Sequence, residues 1–237
     1  MNKKYERIRM QKERKFTKAL QRTMMKALQP VLEDNTMNPD LYDYELVTKQ
    51  MTDLYYDTSK RFFTDTYKEL EVKKNLLDDI ASTYAERIEN WLLTYGANKV
   101  QSVNKTIKQK LSNIINDNFQ KGTSFSDMAK EITSQFRTFS RSRALTIART
   151  ETTASAGRGA WEGAQVVSGS VLKNWIVNLD GKERQTHRLA GSQYKEGIPL
   201  NDPFIIGGDT MMSPGTGNKP EENCNCRCQM GFVRIGD

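Results

Sequence analysis

The chain has 237 residues, 37% of them hydrophobic and 27% charged, with a net charge of +7 and a mean hydropathy of −0.71. That length suits one large domain or two modest ones, and apolar residues recur too regularly for uniform disorder. No run approaches the ~18 apolar residues of a membrane span. Residues 1–18 are basic without the apolar core of a signal peptide, so the sequence predicts a protein made in the cytoplasm, not secreted by the usual route, with no membrane partner at rest.

Charge comes in blocks. Residues 1–30 carry ten Lys/Arg against two Asp/Glu, residues 31–90 seven against fourteen, residues 91–168 eleven against five, and residues 169–237 eight against eight. The two basic blocks suit a polyanion. Non-specific double-stranded DNA is the obvious one, because Lys and Arg neutralise phosphates and release counterions whatever the sequence. The candidate contacts in the first block are Lys3, Lys4, Arg7, Arg9, Lys12, Arg14, Lys15, Lys18 and Arg22. The other reading is a solvated helix face, or one that pairs with the acidic block or an acidic protein.

In chain order, residues 4–28 predict a basic helix with the stripe Tyr5, Ile8, Phe16, Leu20, Met24 and Ala27, ended by Pro30. Residues 31–39 read as a linker, and Asn38-Pro39-Asp40 as the start of the next helix. Its stripe is Tyr44, Val47, Met51, Leu54, Thr58 and Phe62. Another stripe runs Leu77, Ile80, Tyr84, Ile88, Trp91 and Tyr95, with Gly96 closing the helix. Val100, Val103, Ile107, Leu111, Ile114 and Phe119 mark a further helix before Gly122. Ser124 and Asp127 approximate a capping box for a short helix carrying Phe125, Met128, Ile132 and Phe136. Residues 140–166 predict one more, with Leu145, Ala148, Thr152, Ala156 and Ala160 as a small-residue face open to close approach by another backbone.

After Ser168 the texture changes. Residues 171–179 form a β-type run ending in the turn signal Asp180-Gly181, and shorter strand-like pieces lie at 204–206 and 229–235. The expected fold class is α+β: an elongated, mainly α-helical N-terminal region, then a small C-terminal α+β domain with short antiparallel strands. The expected division is a basic helical arm and linker at 1–38, a helical region at 39–122 and an α+β domain at 123–237.

Patterns for ATP-binding loops, dinucleotide sites and GxSxG nucleophiles are absent. The single histidine, His187, and the three cysteines, Cys224, Cys226 and Cys228, could meet if the chain folds back across its Gly/Pro-rich loop. One imidazole with two or three thiolates suits tetrahedral zinc. Packing of the cysteines as small hydrophobes, or a reactive thiol, are the competing readings. Arg149 and Glu151 could reach the β unit and join Asp180 and Arg184 in a structural polar network that holds helix to sheet, or act as a catalytic pair. Tyr55, Tyr56, Phe62, Phe63, Tyr67 and Tyr84 could stack on bases, but their helical spacing and acidic neighbours favour core.

Several C-terminal pieces, taken in order, resemble the phage Mu F-like minor head protein family. They are Ala148-Arg149-Thr150-Glu151-Thr152, then Lys173-Asn174-Trp175, then Asp180, Arg184, His187, Leu189 and Gly191 at the family's spacing. Pro203-Phe204, Pro214-Gly215 and Asn225-Cys226-Arg227-Cys228 complete the set. Thr216 stands where the family tends to have an acidic residue, and Cys224 precedes the usual cysteine pair. The resemblance implies a non-enzymatic minor capsid protein of a tailed phage or prophage. Such a protein is present in few copies inside the head, bound near the portal protein, and works in head assembly, DNA packaging or delivery. Scaffold or major capsid protein are further implied partners. The implied location is the capsid interior of the virion, and the host cytoplasm during assembly. A metal-dependent hydrolase, and a portal-binding module that never touches DNA, are the alternatives.

Overall fold

The structure, a computed structural model, describes the backbone of residues 3–70, 77–167 and 170–235, and the side chains of the same residues except 77–83. Its long helices are α1 (Lys3–Lys26), α3 (Tyr44–Leu70), α4 (Leu77–Trp91), α5 (Ala97–Gln120) and α6 (Phe125–Gln165), with a short α2 (Gln29–Glu33) after the first. Then follow β1 (Ser170–Ile176), α7 (Gln185–Gln193), β2 (Ile198–Pro199), β3 (Phe204–Ile206), β4 (Asp209–Met211), α8 (Pro220–Asn223) and β5 (Gln229–Ile235). The fold class is α+β, with the helices first and short antiparallel strands at the C-terminal side. No described helix is long and apolar enough to cross a membrane.

Several boundaries differ from the sequence reading. Pro30 does not end a helix; it occupies the first turn of α2, where a missing N–H costs nothing. The expected linker therefore shrinks to a few residues after Glu33. Pro39 opens a 3₁₀ turn (Pro39–Leu41), capped by Asn38 Oδ1 on the Asp40 N–H at 2.9 Å, and α3 starts only after Asp43, whose carboxylate accepts from the Leu46 N–H. Gly96 does not close a helix either. It has right-handed helical dihedrals (φ −60°, ψ −46°) at the end of a π-helical turn, Leu92–Gly96. The two helices expected at 125–136 and 140–166 are one helix of 41 residues. Nothing between Arg137 and Arg149 is Gly or Pro, and Ser140 bonds back to the Arg137 carbonyl without breaking the ladder. Of the stripe through Tyr84, the side chains of Leu77 and Ile80 lie outside the described residues.

The chain divides into two compact units. One comprises Met1–Arg14, Tyr55–Asn90 and Thr146–Asp237; the other comprises Lys15–Leu54 and Trp91–Leu145. The second unit is all helical. Its buried apolar residues include Phe16, Leu20, Met24, Val47, Met51, Ile107, Leu111, Ile132 and Phe136. Tyr42 is buried there, donating its hydroxyl to the Met24 carbonyl at 3.0 Å and meeting the Phe136 ring edge-on.

The first unit packs helices against two small sheets. β1 is central in the order β2-β1-β5, and β3 and β4 form a separate hairpin. In the β1–β5 register Lys173 faces Phe232 and Trp175 faces Met230. The core gathers Ile8, Phe62, Ala156, Ala160, Trp175, Phe204, Met230, Cys226 and Cys228 around one another. The aromatics Tyr55, Phe62, Phe63, Tyr67 and Tyr84 are buried, and Tyr56 stays exposed beneath the Lys60 ammonium. Base stacking by the buried five is thereby closed off. The small-residue stretch of α6 serves helix contact: a Cβ added at Gly159 would lie 2.1 Å from the Ser59 carbonyl oxygen, and one at Gly163 2.6 Å from that of Phe63. Burial places Leu145 outside this face, with its side chain exposed.

Lys173 is fully buried on β1, donating to the Met212 carbonyl at 2.8 Å and lying over the Phe204 ring. Burial pushes its pKa down from 10.5 to about 8.

Two outcomes are expected. Gly159→Ala, which in an open helix would stabilise by about 1 kcal/mol, should here destabilise by at least about 1–3 kcal/mol in urea unfolding, because backbone must move. A neutral result would mean that the two helices do not touch. At Lys173 the unfolded state holds its proton up to higher pH than the folded state. The penalty for burying the ammonium is thus complete below about pH 8 and fades as pH climbs toward 10.5. Wild-type Tm should therefore gain on that of Lys173→Met across this window; a constant difference would contradict the burial.

Candidate metal centre

The site lies wholly in the first unit and is built from three short pieces. The first is α7, which sequence patterning did not announce because Leu189 is exposed and only His187 and Ala190 are buried on it. Gly191 lets α7 settle on the end of β1: a Cβ there would lie 2.5 Å from Val177 Cγ2. The second piece is the loop from β4 through α8. Asp209 organises it by accepting from the amides of Asn218 and Lys219 (3.1 and 2.9 Å) and from Asn223 Nδ2 (3.1 Å). Burial alone would raise the Asp209 pKa, but these hydrogen bonds outweigh it and hold the carboxyl below its ordinary value. The third piece is the run 224–228 leading into β5.

His187 stands at the centre. It is 2% exposed, and Trp175 meets its ring edge-on at 5.5 Å. Nε2 lies 3.1 Å from Glu222 Oε2, which also accepts from Thr186 Oγ1 at 2.8 Å. Nδ1 faces two sulfurs, Cys228 Sγ at 3.4 Å and Cys226 Sγ at 3.7 Å. Among the described residues His187, Cys226 and Cys228 form the group of ligand atoms that could hold one ion, all within 4.8 Å of one another. Cys224 lies outside this group and is exposed. Burial works against a charged imidazole here, but the Cys226 sulfur and the Glu222 carboxylate outweigh it, and the His187 pKa rises. The two thiols move apart. The hydrogen bond from Cys228, with His187 on the other side, lowers the Cys226 pKa well below the ordinary thiol value; the same contact and burial push Cys228 up.

The polar residues singled out in the sequence are in the same unit but do not pair with one another. Arg149 reaches Glu13 Oε1 at 3.1 Å and Asn225 Oδ1 at 3.5 Å. Glu151 accepts from the Tyr55 hydroxyl at 3.0 Å. Asp180 pairs with Arg227, and Arg184 donates to the Cys224 carbonyl at 2.5 Å. Two threonines of α6 also hold the run that leads into β5: the Asn225 N–H donates to Thr150 Oγ1 at 2.9 Å, and Thr153 Oγ1 donates to the Cys226 carbonyl at 2.7 Å. Sequence reasoning missed Glu222 and Thr153, which carry no spacing signal; Thr150 was visible only between its charged neighbours. Pro214-Gly215 packs on α6 as well, with Gly215 at φ +84° and its α-carbon face against Ala154.

Of the nine cations considered for DNA, Lys3, Lys4, Arg7, Arg14, Lys15, Lys18 and Arg22 are exposed. Lys4 pairs with Asp65 at 3.5 Å. Lys12 is half-buried and bonds Asp57. Arg9 is 2% exposed, ion-paired with Glu13 at 2.9 Å, so it is not on the outer face.

An α+β unit in which one long helix, a three-stranded sheet and a histidine–dithiol group share a core is the class that this geometry defines. The family described as Phage Mu protein F like protein matches residues 109–231, just over half of the chain, and the chain belongs to that family. It is thereby a protein of phage head morphogenesis. No curated protein and no solved structure matches the chain.

Thr153→Val should cost about 1–3 kcal/mol in chemical denaturation, because it leaves the buried Cys226 carbonyl without its donor. A loss below about 0.5 kcal/mol would mean that this stitch contributes little.

Proposed function

We propose that the protein is a minor head component held inside the capsid near the portal, working in head assembly and in DNA packaging or delivery, with α1 as a non-specific duplex contact. Family membership supports the head role. The observation that carries the DNA contact is the one-sidedness of α1. Lys3, Arg7, Arg14, Lys15, Lys18 and Arg22 are exposed, while Ile8, Arg9, Phe16 and Leu20 are buried. At 3.6 residues per turn Lys3, Arg7 and Arg14, in the first unit, fall within an arc of about 40°, and Lys15, Lys18 and Arg22, in the second, within about 60°. A face of that kind offers several phosphates a charge at once and reads no base. Lys105, Lys121, Lys130, Arg137 and Arg141, exposed on α5, α6 and the turn between them, are a second set of cations for the same polyanion.

The role is non-catalytic on this reading. The only histidine is enclosed and already bonded on both ring nitrogens, a poor position for a general acid or base. Assembly takes place in the host cytoplasm, and the finished protein resides in the virion.

Binding to duplexes of unrelated sequence should fall by about 10³–10⁵ between roughly 50 and 200 mM salt if six or more phosphates are engaged. Arg7→Gln/Lys18→Gln/Arg22→Gln should lower the salt slope by about one for each phosphate no longer neutralised. A flat salt dependence, or a triple variant that binds as wild type does, would remove α1 as the DNA-binding face. Portal capture that survives high salt while DNA binding is absent would favour a purely protein-binding module.

A further inference from the structure

We infer that the protein carries a zinc site whose protein ligands are His187 Nδ1, Cys226 Sγ and Cys228 Sγ, with the fourth position facing solvent and Glu222 as the positioning residue behind the histidine. The geometry comes first. Zinc bonds of about 2.0–2.1 Å to nitrogen and about 2.3 Å to sulfur set the edges of a tetrahedron at roughly 3.6 Å for N···S. The Nδ1···Sγ separations of 3.4 and 3.7 Å straddle that edge. A hydrogen-bonded cluster also spans such distances, but it gives no reason for both sulfurs to stand at nearly the same range from one nitrogen, which a shared ion supplies. Both sulfurs reach it because Cys226 and Cys228 are two residues apart at the approach to β5 and are both buried.

Glu222 supplies the second argument. A carboxylate only accepts, so its contact with Nε2 keeps a proton on that nitrogen and leaves Nδ1 as the one that can give up its proton and ligate. This carboxylate–histidine arrangement behind a metal-facing nitrogen is what fixes ring orientation in zinc sites. Glu222 is itself held, by Thr186 Oγ1 on one side and by its place in the short helix α8, before which Asp209 accepts from the Lys219 N–H. A third observation concerns access. A small pocket lined by Asn178, Arg184, Asn225 and Arg227 opens onto the His187–Cys226–Cys228 group. A water molecule reaching through it completes four-coordination. Cys224 is exposed and outside the group, which leaves the site with three protein ligands.

The test uses the full chain, purified under reducing conditions and stripped with chelator, then titrated with cobalt(II) and zinc(II) ions alone. One equivalent of cobalt should produce a thiolate-to-metal charge-transfer band and visible bands of tetrahedral intensity, both abolished by one equivalent of zinc. X-ray absorption on the zinc form should count two sulfurs. Cys226→Ser and Cys228→Ser should each weaken binding beyond the roughly 10–100-fold expected for the supporting Glu222→Gln, and Cys224→Ser should bind as wild type does. Should a ligand variant fail to fold by circular dichroism, the wild-type spectrum, the sulfur count and Cys224→Ser still decide. No thiolate band in the wild type, or zinc binding under one-tenth of an equivalent, overturns the site. Loss of the spectrum in Cys224→Ser overturns the three-ligand set in favour of a closed one.

Discussion

The first unit depends on how the run 225–228 is held between a helix and a helix. On one side, Thr150 and Thr153 of α6 bind the Asn225 amide and the Cys226 carbonyl. On the other, His187 of α7 faces the sulfurs of Cys226 and Cys228. The Thr153 contact uses a buried carbonyl that would otherwise lack this donor, which is why it fixes position more firmly than a surface contact would. β5 begins one residue after Cys228, so its register against β1 is set by this grip. Trp175, on the paired strand, is buried in the same core as Cys226 and Cys228.

Charge inside this unit works differently from charge on its surface. Glu13 bridges Arg9 and Arg149, and Glu162 receives both Arg87 and Arg158. Arg9 and Glu162 are nearly inaccessible. Pairs of this kind return little net stability once the lost hydration is counted, but removing one partner strands the other. They act as alignment marks for α1, α4 and α6 in this unit. The result is a division of labour along α1: Arg9 faces inward as structure, while Arg7 and Arg14 face outward.

Much of this was legible in the sequence, and the failures have physical causes. Helical stripes were readable because burial follows the 3.6-residue period: Val47, Met51, Leu54, Thr58 and Phe62 are all buried. The strands around Trp175 and Met230 were readable from β-rich composition. Boundaries were misread where one residue type has two uses. Pro30 starts a helix instead of stopping one, and Gly96 sits in helical backbone. At the site, the approach of His187 to Cys226 and Cys228 could be imagined from residue chemistry alone. Glu222 could not, since a lone glutamate among exposed acids has no period and no spacing. The polar set Arg149, Glu151, Asp180 and Arg184 was visible as a gathering, yet its partners were not. Those partners, Glu13, Tyr55, Arg227 and the Cys224 carbonyl, come from parts of the chain whose approach is decided by tertiary packing.

The β1–β5 ladder brackets everything between Ile176 and Gln229, including α7, the β3–β4 hairpin and the Asp209 loop. The bracket makes the interval tolerant of a break. A protease nick at the exposed Gly207-Gly208 turn would leave two fragments still zipped along seven residue pairs and still sharing the His187–Cys226 contact. Covalent continuity through that turn is thus dispensable for cohesion, and the turn is the natural place in this unit to splice in a foreign segment.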